Sequence, residues 1–211
     1  MILYLTIIVV AMILIISLNT MFNGMFNGLS PLWTICVVFF GVVLEIVIDG
    51  IFAFIIHSLP NKWFNKDKKC FDVSRRERKF YEKLNIKHWK DKVWELGALG
   101  GFRKNKLNDP YNTKYIETFI VENNKGCVVH LAGIVFGFLI LLFPLPKYWF
   151  CIGLPIAIVN VYLNLLSMMV LRYNIPKLKI AYLRALKVSE AQNKQNNNKC
   201  VEETTTNNEK Q

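Results

Sequence analysis

The feature of this sequence that most constrains its fold is the segregation of apolar and cationic residues. The 211-residue chain is 53% hydrophobic, yet it carries a formal net charge of +11. Of its 26 Lys and Arg residues, 17 lie between Lys62 and Lys125, and eight lie from Arg172 onward. Long apolar runs separated by basic segments are typical of transmembrane helices rather than of a soluble core. We therefore expect an all-α membrane protein with four transmembrane helices.

The same pattern divides the chain into four parts. Residues 1–58 and 127–173 predict two transmembrane hairpins, and residues 59–126 predict a basic amphipathic cytoplasmic loop between them. Residues 174–211 predict a cytoplasmic tail, which we expect to be disordered after about residue 189 because it is rich in Asn, Gln, Lys and Thr. The positive-inside rule places the loop and both termini in the cytoplasm, so the chain is predicted to be a multi-pass protein of the cell membrane.

Two acidic residues lie within the second apolar run. Glu45 and Asp49 are four residues apart and hence share one face of a helix. A carboxylate inside a membrane is costly unless it is paired or faces a polar cavity, which favours a functional role. The alternative is structural: both acids lie near the interface, or they are tied to Arg172 or to a backbone group. In the fourth run, Asn160 and Asn164 are also one turn apart, and such amides more often bond neighbouring helices than contact a substrate.

The basic loop contains helical signals with two interpretations. Ser74 followed by Glu77 is a capping-box pattern that predicts a helix start. Ile86, Trp89 and Val93 then form an apolar stripe between lysines. A basic helix with such a stripe suits the surface of an anionic bilayer. The alternative is a cytosolic helix that packs on its own loop.

Several classes of site are excluded or disfavoured by composition. The five cysteines are scattered without a CxxC motif, and the three histidines lie far apart, so we expect neither a disulfide framework nor a metal site. Because the cationic residues lie between membrane spans, topology and anionic lipids account for them, and we expect no nucleic-acid partner. An oligomer is compatible with the sequence.

Three segments carry a resemblance to a known family. They are FYEKL followed by IKHWKDK within residues 80–92, FIVENNKGCVVH at residues 119–130, and RYNIPKL at residues 172–178. In this order, with a Pro-Leu-Pro turn between the last two spans, they resemble the glycosyl-4,4'-diaponeurosporenoate acyltransferase family over roughly Leu59 to Leu186. Family patterns often place a Glu where this chain has Cys127. The resemblance implies a small integral membrane enzyme that esterifies a fatty acyl chain onto the sugar of a glycosylated carotenoid.

Acyl transfer to a hydroxyl needs a base and groups that position the sugar. His130 is our candidate base, and Glu122 is the candidate that orients it. Because these residues are eight apart on a helix, direct contact requires a helix break at residues 123–126. Glu45 and Asp49 are candidates for contacting the sugar. Neither a histidine followed five residues later by an aspartate nor a G-x-S-x-G elbow is present.

The remaining candidates are aromatic, cationic and amide residues expected to bind substrate: Trp89, Lys90, Arg103, Arg172, Tyr173 and Asn174. The cations would hold phosphate or carboxylate groups of the acyl donor, and the aromatic residues would flank a lipid-facing entrance. We expect no bound cofactor; acyl-CoA or acyl carrier protein would be the co-substrate, and the partners would be membrane lipids and a lipid-like glycosylated acceptor. Two alternatives stay open: a non-enzymatic membrane protein whose basic loop binds anionic lipid or a membrane partner, and a transporter that uses the two acids as a proton relay.

Overall fold

The computed structural model describes residues 2–22, 28–93, 109–142 and 148–208, and within these ranges the regular structure is entirely helical. The α-helices are α1 (Ile2–Met21), α2 (Pro31–Ser58), α3 (Arg75–Lys83), α4 (Ile86–Trp89), α5 (Thr113–Phe136) and α6 (Leu154–Asn208). Short 3-10 segments cover Asn61–Phe64, Lys69–Phe71, Lys90–Lys92 and Gly137–Leu142, and a π-helical turn covers Trp149–Gly153. Within these described ranges, four helices are long and apolar enough to cross a membrane. The all-α prediction with four such helices is confirmed.

The four long helices form one bundle with α5 against α6 as its most extensive contact. Two hydrogen bonds fix α1 antiparallel to the last helix. The hydroxyl of Tyr4 donates to the carbonyl of Leu163 (2.8 Å), and the amide of Asn19 donates to the carbonyl of Cys151 (2.8 Å). Near the Asn19 end, an apolar core joins α1, α2 and α6, and its buried residues include Ile15, Val38, Ile140, Ile152 and Ile156.

The outward faces of α1 and α2 are as apolar as their inward faces. Ile13 on α1 is 57% exposed, and Phe39 and Phe54 on α2 are 60% and 77% exposed. A helix that is hydrophobic on all sides needs an apolar environment around it. These surfaces are therefore suited to contact lipid chains.

Helix α5 begins earlier than the predicted third span. It starts at Thr113, with the side chain of Asn112 capping its first turn, and runs without interruption to Phe136. The break that contact between Glu122 and His130 would require at residues 123–126 is absent, because these residues are helical and the side-chain nitrogens of Asn123, Asn124 and Lys125 donate to carbonyls of neighbouring elements. The amide of Asn124, for example, donates to the carbonyl of Phe64 (2.9 Å).

Helix α6 is longer than the sequence predicted. The expectation of disorder after about residue 189 does not match the structure, because α6 continues through Pro176 to Asn208. A proline inside a helix removes one backbone hydrogen bond. Here packing holds the helix across that position, since Leu178 and Ala185 are buried against Ile116 and Ile120 of α5. Beyond Ser189, no glycine or proline occurs that would end the helix.

The cationic segment after α2 folds back onto α6. The predicted cap is confirmed, because the hydroxyl of Ser74 accepts a hydrogen bond from the backbone of Glu77 (3.1 Å). The predicted apolar stripe exists, but Ile86 and Val93 are buried against Tyr173 of α6 rather than facing outward. The interpretation that this stripe lies on a bilayer surface is therefore wrong.

A bidentate ion pair fastens the segment to α6. Arg172 donates through Nε and Nη2 to the two carboxylate oxygens of Glu77, at 2.5 Å and 3.0 Å. The guanidinium holds the pKa of Glu77 below its ordinary value. Tyr81 also donates to Glu77 (2.6 Å), and burial together with this carboxylate raises the pKa of the phenol. The pair keeps α3 against the last helix.

We predict that acidification loosens this contact. Because the pKa of Glu77 is lower in the folded state than its ordinary value of 4.5, the stabilisation is complete above about pH 4.5 and is lost as the pH falls through the folded-state pKa. The protection factors of the α3 amides, which compare the observed exchange rate with the intrinsic rate at the same pH, should therefore fall below that pH. A Glu77→Gln variant should exchange faster at neutral pH, by about 1–3 kcal/mol of opening free energy, and should lack most of the acid response. An unchanged acid response in this variant would assign it to another carboxyl, such as Asp72.

Candidate active site

The two acids of α2 are bonded to the two asparagines of α6. Asn160 Nδ2 donates to Glu45 Oε1 (2.5 Å), and Asn164 Nδ2 donates to Asp49 Oδ2 (3.0 Å). Each pair is separated by the same four-residue spacing, so one turn of α2 matches one turn of α6. Of the alternatives for the acids, ion pairing with Arg172 does not describe this arrangement, because Arg172 pairs with Glu77. The acids are paired within the bundle, close to the middle of α2.

His130 of α5 belongs to the same network. Its Nδ1 lies 2.8 Å from Asn164 Oδ1, while Nδ2 of the same amide contacts Asp49 and Asn160 Oδ1 (3.0 Å and 2.8 Å). An amide oxygen only accepts hydrogen bonds, so Nδ1 is the donor of this contact, and in the neutral imidazole the lone pair is then on Nε2. The arrangement fixes the ring tautomer in the form that a general base requires.

Two glycines of the α5 region make room for the network. A Cβ atom added to Gly133 would lie 2.7 Å from Asn164 Nδ2, and one added to Gly137 would lie 2.5 Å from Glu45 Oε1. These glycines are four residues apart, a spacing that lets helix backbones approach closely in an apolar environment. The close approach is what brings helices α2, α5 and α6 within hydrogen-bonding distance of one another.

Glu45 is the most enclosed of the ionisable groups in this network. The residue is 5% exposed, and its Oε2 has no hydrogen-bond partner among the residues that the structure describes. A buried carboxyl oxygen without a partner is costly, so a group that supplies a donor to it is stabilised there. Asp49 and His130 are each partly exposed.

Glu122, the predicted partner of His130, lies elsewhere. Its carboxylate contacts His57 Nδ1 (3.3 Å) and Lys125 Nζ (3.7 Å). Because α5 is continuous, Glu122 lies two turns from His130 and cannot reach it. The prediction that Glu122 orients His130 is therefore wrong, and Asn164 has that position instead.

Of the predicted substrate-binding residues, Arg172, Tyr173 and Asn174 are consecutive on α6, eight to ten residues after Asn164, and Trp89 packs beside Tyr173. Arg103 falls outside the described residues. Tyr173 is buried in the cluster that Trp89 also contacts. The indole of Trp89 donates to the carbonyl of Leu84 (3.0 Å), and the residue is partly exposed, whereas Tyr173 is buried. Arg172 is engaged by Glu77 and does not contact His130.

Lys90 and Asn174 are the remaining predicted substrate-binding residues. The ammonium of Lys90 lies 3.5 Å from the neighbouring Asp91. Asn174 is 7% exposed, and its Nδ2 has no hydrogen-bond partner within the described part of the chain. Within those same residues, no group of three or more His, Cys, Asp or Glu side chains could hold a metal ion.

Sequence reasoning did not identify the residues that complete the network. Asn164 was interpreted as a helix-packing amide, which it is, but it also bridges the carboxylate and the imidazole. The signal for Gly133 and Gly137 was available, since a Gly-x-x-x-Gly spacing within an apolar run indicates a close helix contact. The sequence pattern within one helix could not predict that His130 contacts Asn164, which is 34 residues away on another helix.

Comparison with known proteins identifies one family. A family model described as glycosyl-4,4'-diaponeurosporenoate acyltransferase matches residues 60–184, which are 125 of the 211 residues. The matched region includes His130, Asn160 and Asn164, whereas Glu45 and Asp49 precede it. No curated protein and no solved structure matches the chain.

We predict that Gly137→Ala disrupts the network. The added methyl group would collide with Glu45 and with Asn160, which limit each other's movement, so the variant should lose about 1–3 kcal/mol of stability. Thermal unfolding of the detergent-solubilised protein measures this loss. Gly50→Ala on α2 is the matched control, because a Cβ atom there meets nothing within 4 Å. Equal unfolding temperatures for the two variants would contradict the close contact at Gly137.

Proposed function

We propose, because the chain belongs to the glycosyl-4,4'-diaponeurosporenoate acyltransferase family, that it transfers a fatty acyl chain to a sugar hydroxyl of a glycosylated carotenoid or a related glycolipid. The family is one of acyltransferases in carotenoid biosynthesis. The observation that carries the assignment of the site is the 2.8 Å contact between His130 Nδ1 and Asn164 Oδ1. It is supported by the second contact of the same amide, which ties it to Asp49.

His130 would act as the general base. With Nδ1 donating to Asn164, Nε2 accepts the proton of the attacking hydroxyl. The positive charge that forms on the imidazole is then stabilised by the carboxylate of Asp49, which reaches the ring through the Asn164 amide. This arrangement performs the two tasks of an orienting residue, holding the tautomer and stabilising the imidazolium.

The reaction balances with an acyl thioester as donor. The sugar oxygen attacks the carbonyl carbon, a carbon–oxygen bond forms, and the carbon–sulfur bond breaks. His130 first takes the hydroxyl proton and then delivers it to the departing thiolate, so the enzyme returns to its starting state. Both acyl-CoA and acyl carrier protein supply such a thioester, and neither requires a metal or another bound cofactor.

The acyl donor would approach along the cationic side of α6. Lys177 lies over the ring of Tyr173, 4.3 Å from its centroid, and Lys87 and Lys90 of the docked segment are close enough to interact with it electrostatically. Phosphate groups of CoA, or an acidic carrier protein, are attracted by such a group of cations. The patch is separated from Asn164 by about 20 Å along the helix axis, which an extended thioester arm would have to span.

We place the four apolar helices in the cell membrane, with the cationic segment and both termini in the cytoplasm. The distribution of charge supports this topology, since 17 of the 26 Lys and Arg residues lie between Lys62 and Lys125. The network at Asp49 and His130 would then lie within the bilayer, between its middle and the cytoplasmic surface. Acyl transfer would take place at that cytoplasmic face.

The assay for this function is acyl transfer by the membrane-embedded chain. The protein is expressed with a glycosylated carotenoid or another glycolipid and an acyl donor, and mass spectrometry measures the gain of one acyl chain. His130→Ala should lower turnover by about 10²–10⁴-fold, because that is the usual contribution of a general base. Asn164→Leu should also lower turnover, because the imidazole loses the amide oxygen that fixes its tautomer and the link to the Asp49 carboxylate.

His57→Ala is the matched control for this experiment. It removes a histidine that is paired with Glu122 and lies outside the network, so product formation should be retained. Full activity of the His130→Ala variant would eliminate His130 as the base. Failure of the unaltered chain to acylate any glycolipid, with acyl-CoA and with acyl carrier protein, would contradict the proposed function itself.

One observation favours a second, non-enzymatic function. Phe80 and Leu84 of the cationic segment are 53% and 41% exposed, and Trp63 is 54% exposed. Exposed aromatic and aliphatic groups beside lysines and arginines suit the surface of an anionic membrane. A protein that only binds anionic lipid would lose vesicle binding on Phe80→Asp and would form no acylated product with any donor. An acyltransferase would form product whether or not the segment binds vesicles.

A further inference from the structure

An apolar groove lies beside the network, between α1, α2 and α6. Its cavity volume is about 60 Å³, and the empty space is about 450 Å³ when the part open to the surroundings is included. Each helix contributes four residues at the spacing i, i+3, i+4 and i+7, which is one continuous face of a helix. The α1 wall is Ile8, Ala11, Met12 and Ile15; the α2 wall is Val42, Glu45, Ile46 and Asp49; the α6 wall is Ile156, Val159, Asn160 and Leu163. The α1 wall is therefore wholly apolar, and the polar groups lie opposite it.

The polar groups are concentrated toward one end of the groove. The hydrogen bond from Tyr4 to Leu163 places the start of α1 beside Leu163, and Asp49 is bonded one position along α6 at Asn164. The opposite end is formed by Ile15 and Ile156, which belong to the buried apolar core. A ligand that fills the groove has a polar end near Asp49 and an apolar end near Ile15.

Glu45 determines which chemical group the groove can bind favourably. Its Oε2 is buried and has no partner among the described residues, while Oε1 already accepts from Asn160. A hydroxyl group satisfies such an oxygen by donating a hydrogen bond to it. The phosphate-bearing head of an acyl donor would instead bring several negative charges into a groove whose α1 wall is wholly apolar, which is unfavourable. The groove therefore suits a neutral hydroxyl-bearing head rather than the donor.

The groove is open toward the side of the bundle. Ile46, one of its lining residues, is 60% exposed, and it lies on the outward apolar surface of α2. An amphiphile could thus enter from the surrounding lipid without passing through water. The wall of α1 from Ile8 to Ile15 is about 10 Å long, so it contacts the part of the apolar chain next to the head.

We propose that this groove is the binding site for the acceptor, with its apolar chain along α1 and a sugar hydroxyl on Glu45. The inference rests on the proposed acyl transfer and adds the location and orientation of the acceptor. It also assigns a role to α1, which lies outside the region matched by the family model. Because α1 supplies the wholly apolar wall, residues such as Ala11 would determine which chains are accepted.

The test uses the full chain in phosphatidylcholine vesicles and a long-chain alkyl glucoside with a diazirine in its alkyl chain. After irradiation, mass spectrometry locates the labelled residues. Labelling is expected on α1 between Ile8 and Ile15. Ala11→Phe fills the groove and should lower the labelling, and raise KM for a glycolipid acceptor, about tenfold. Ile13→Phe is the matched control, since Ile13 faces outward on the same helix and is 57% exposed.

A second variant distinguishes loss of binding from misfolding of the Ala11→Phe variant. Val159→Phe fills the groove from the α6 side and should have the same effect as Ala11→Phe, with thermal unfolding measured for both. Labelling of α1 that is as strong in both filled variants as in the unaltered chain would overturn the proposal. If both filled variants lower the labelling but the unaltered chain transfers no acyl group, the groove is still a binding site for the glucoside and the proposed reaction is rejected. His130→Ala should still be labelled, because it alters the base and not the groove.

Discussion

The structure depends on how two carboxyl groups are accommodated in an apolar bundle. Leaving Glu45 and Asp49 without partners would be costly in an environment that contains little water. The amides of Asn160 and Asn164 supply the missing donors, at 2.5 Å and 3.0 Å. This requirement sets the register of α2 against α6 and restricts Gly133 to a residue without a side chain. The oxygen of the Asn164 amide then orients His130.

The cationic segment is attached by a different interaction. Arg172 and Glu77 form a bidentate pair at the edge of the apolar region, and Tyr81 and Ile86 are buried beside it. Most of the surface buried between the segment and α6 is apolar. The ion pair fixes the orientation of α3 on α6, because a bidentate guanidinium bond has a fixed geometry. The described part of the segment, up to Val93, is thus packed against α6.

The positions of the spanning helices depend on local composition and were predicted from the sequence. The side-chain partners and the length of α6 depend on contacts between helices and were not. Uninterrupted apolar runs predicted four spanning helices, and Ser74 with Glu77 predicted the start of α3 correctly. The partner of His130 was predicted wrongly because Glu122 is near in sequence, whereas Asn164 is near in space. The length of α6 was underestimated because packing against α5 holds the chain helical across Pro176, and propensity does not report such packing. The acids of α2 were recognised as candidates, but their partners could not be assigned from spacing alone.

The continuity of α6 limits which insertions the sequence can accept during evolution. Asn160, Asn164, Arg172 and Lys177 all lie on one helix, so their relative directions are set by residue count. A single inserted residue between Asn164 and Arg172 would rotate one pair by about 100° relative to the other. The helix would survive such an insertion, but the bonds to α2 and to Glu77 could not be kept together. Lengthening is therefore tolerated in the connections between helices and not within this stretch, where the number of residues matters as much as their identity.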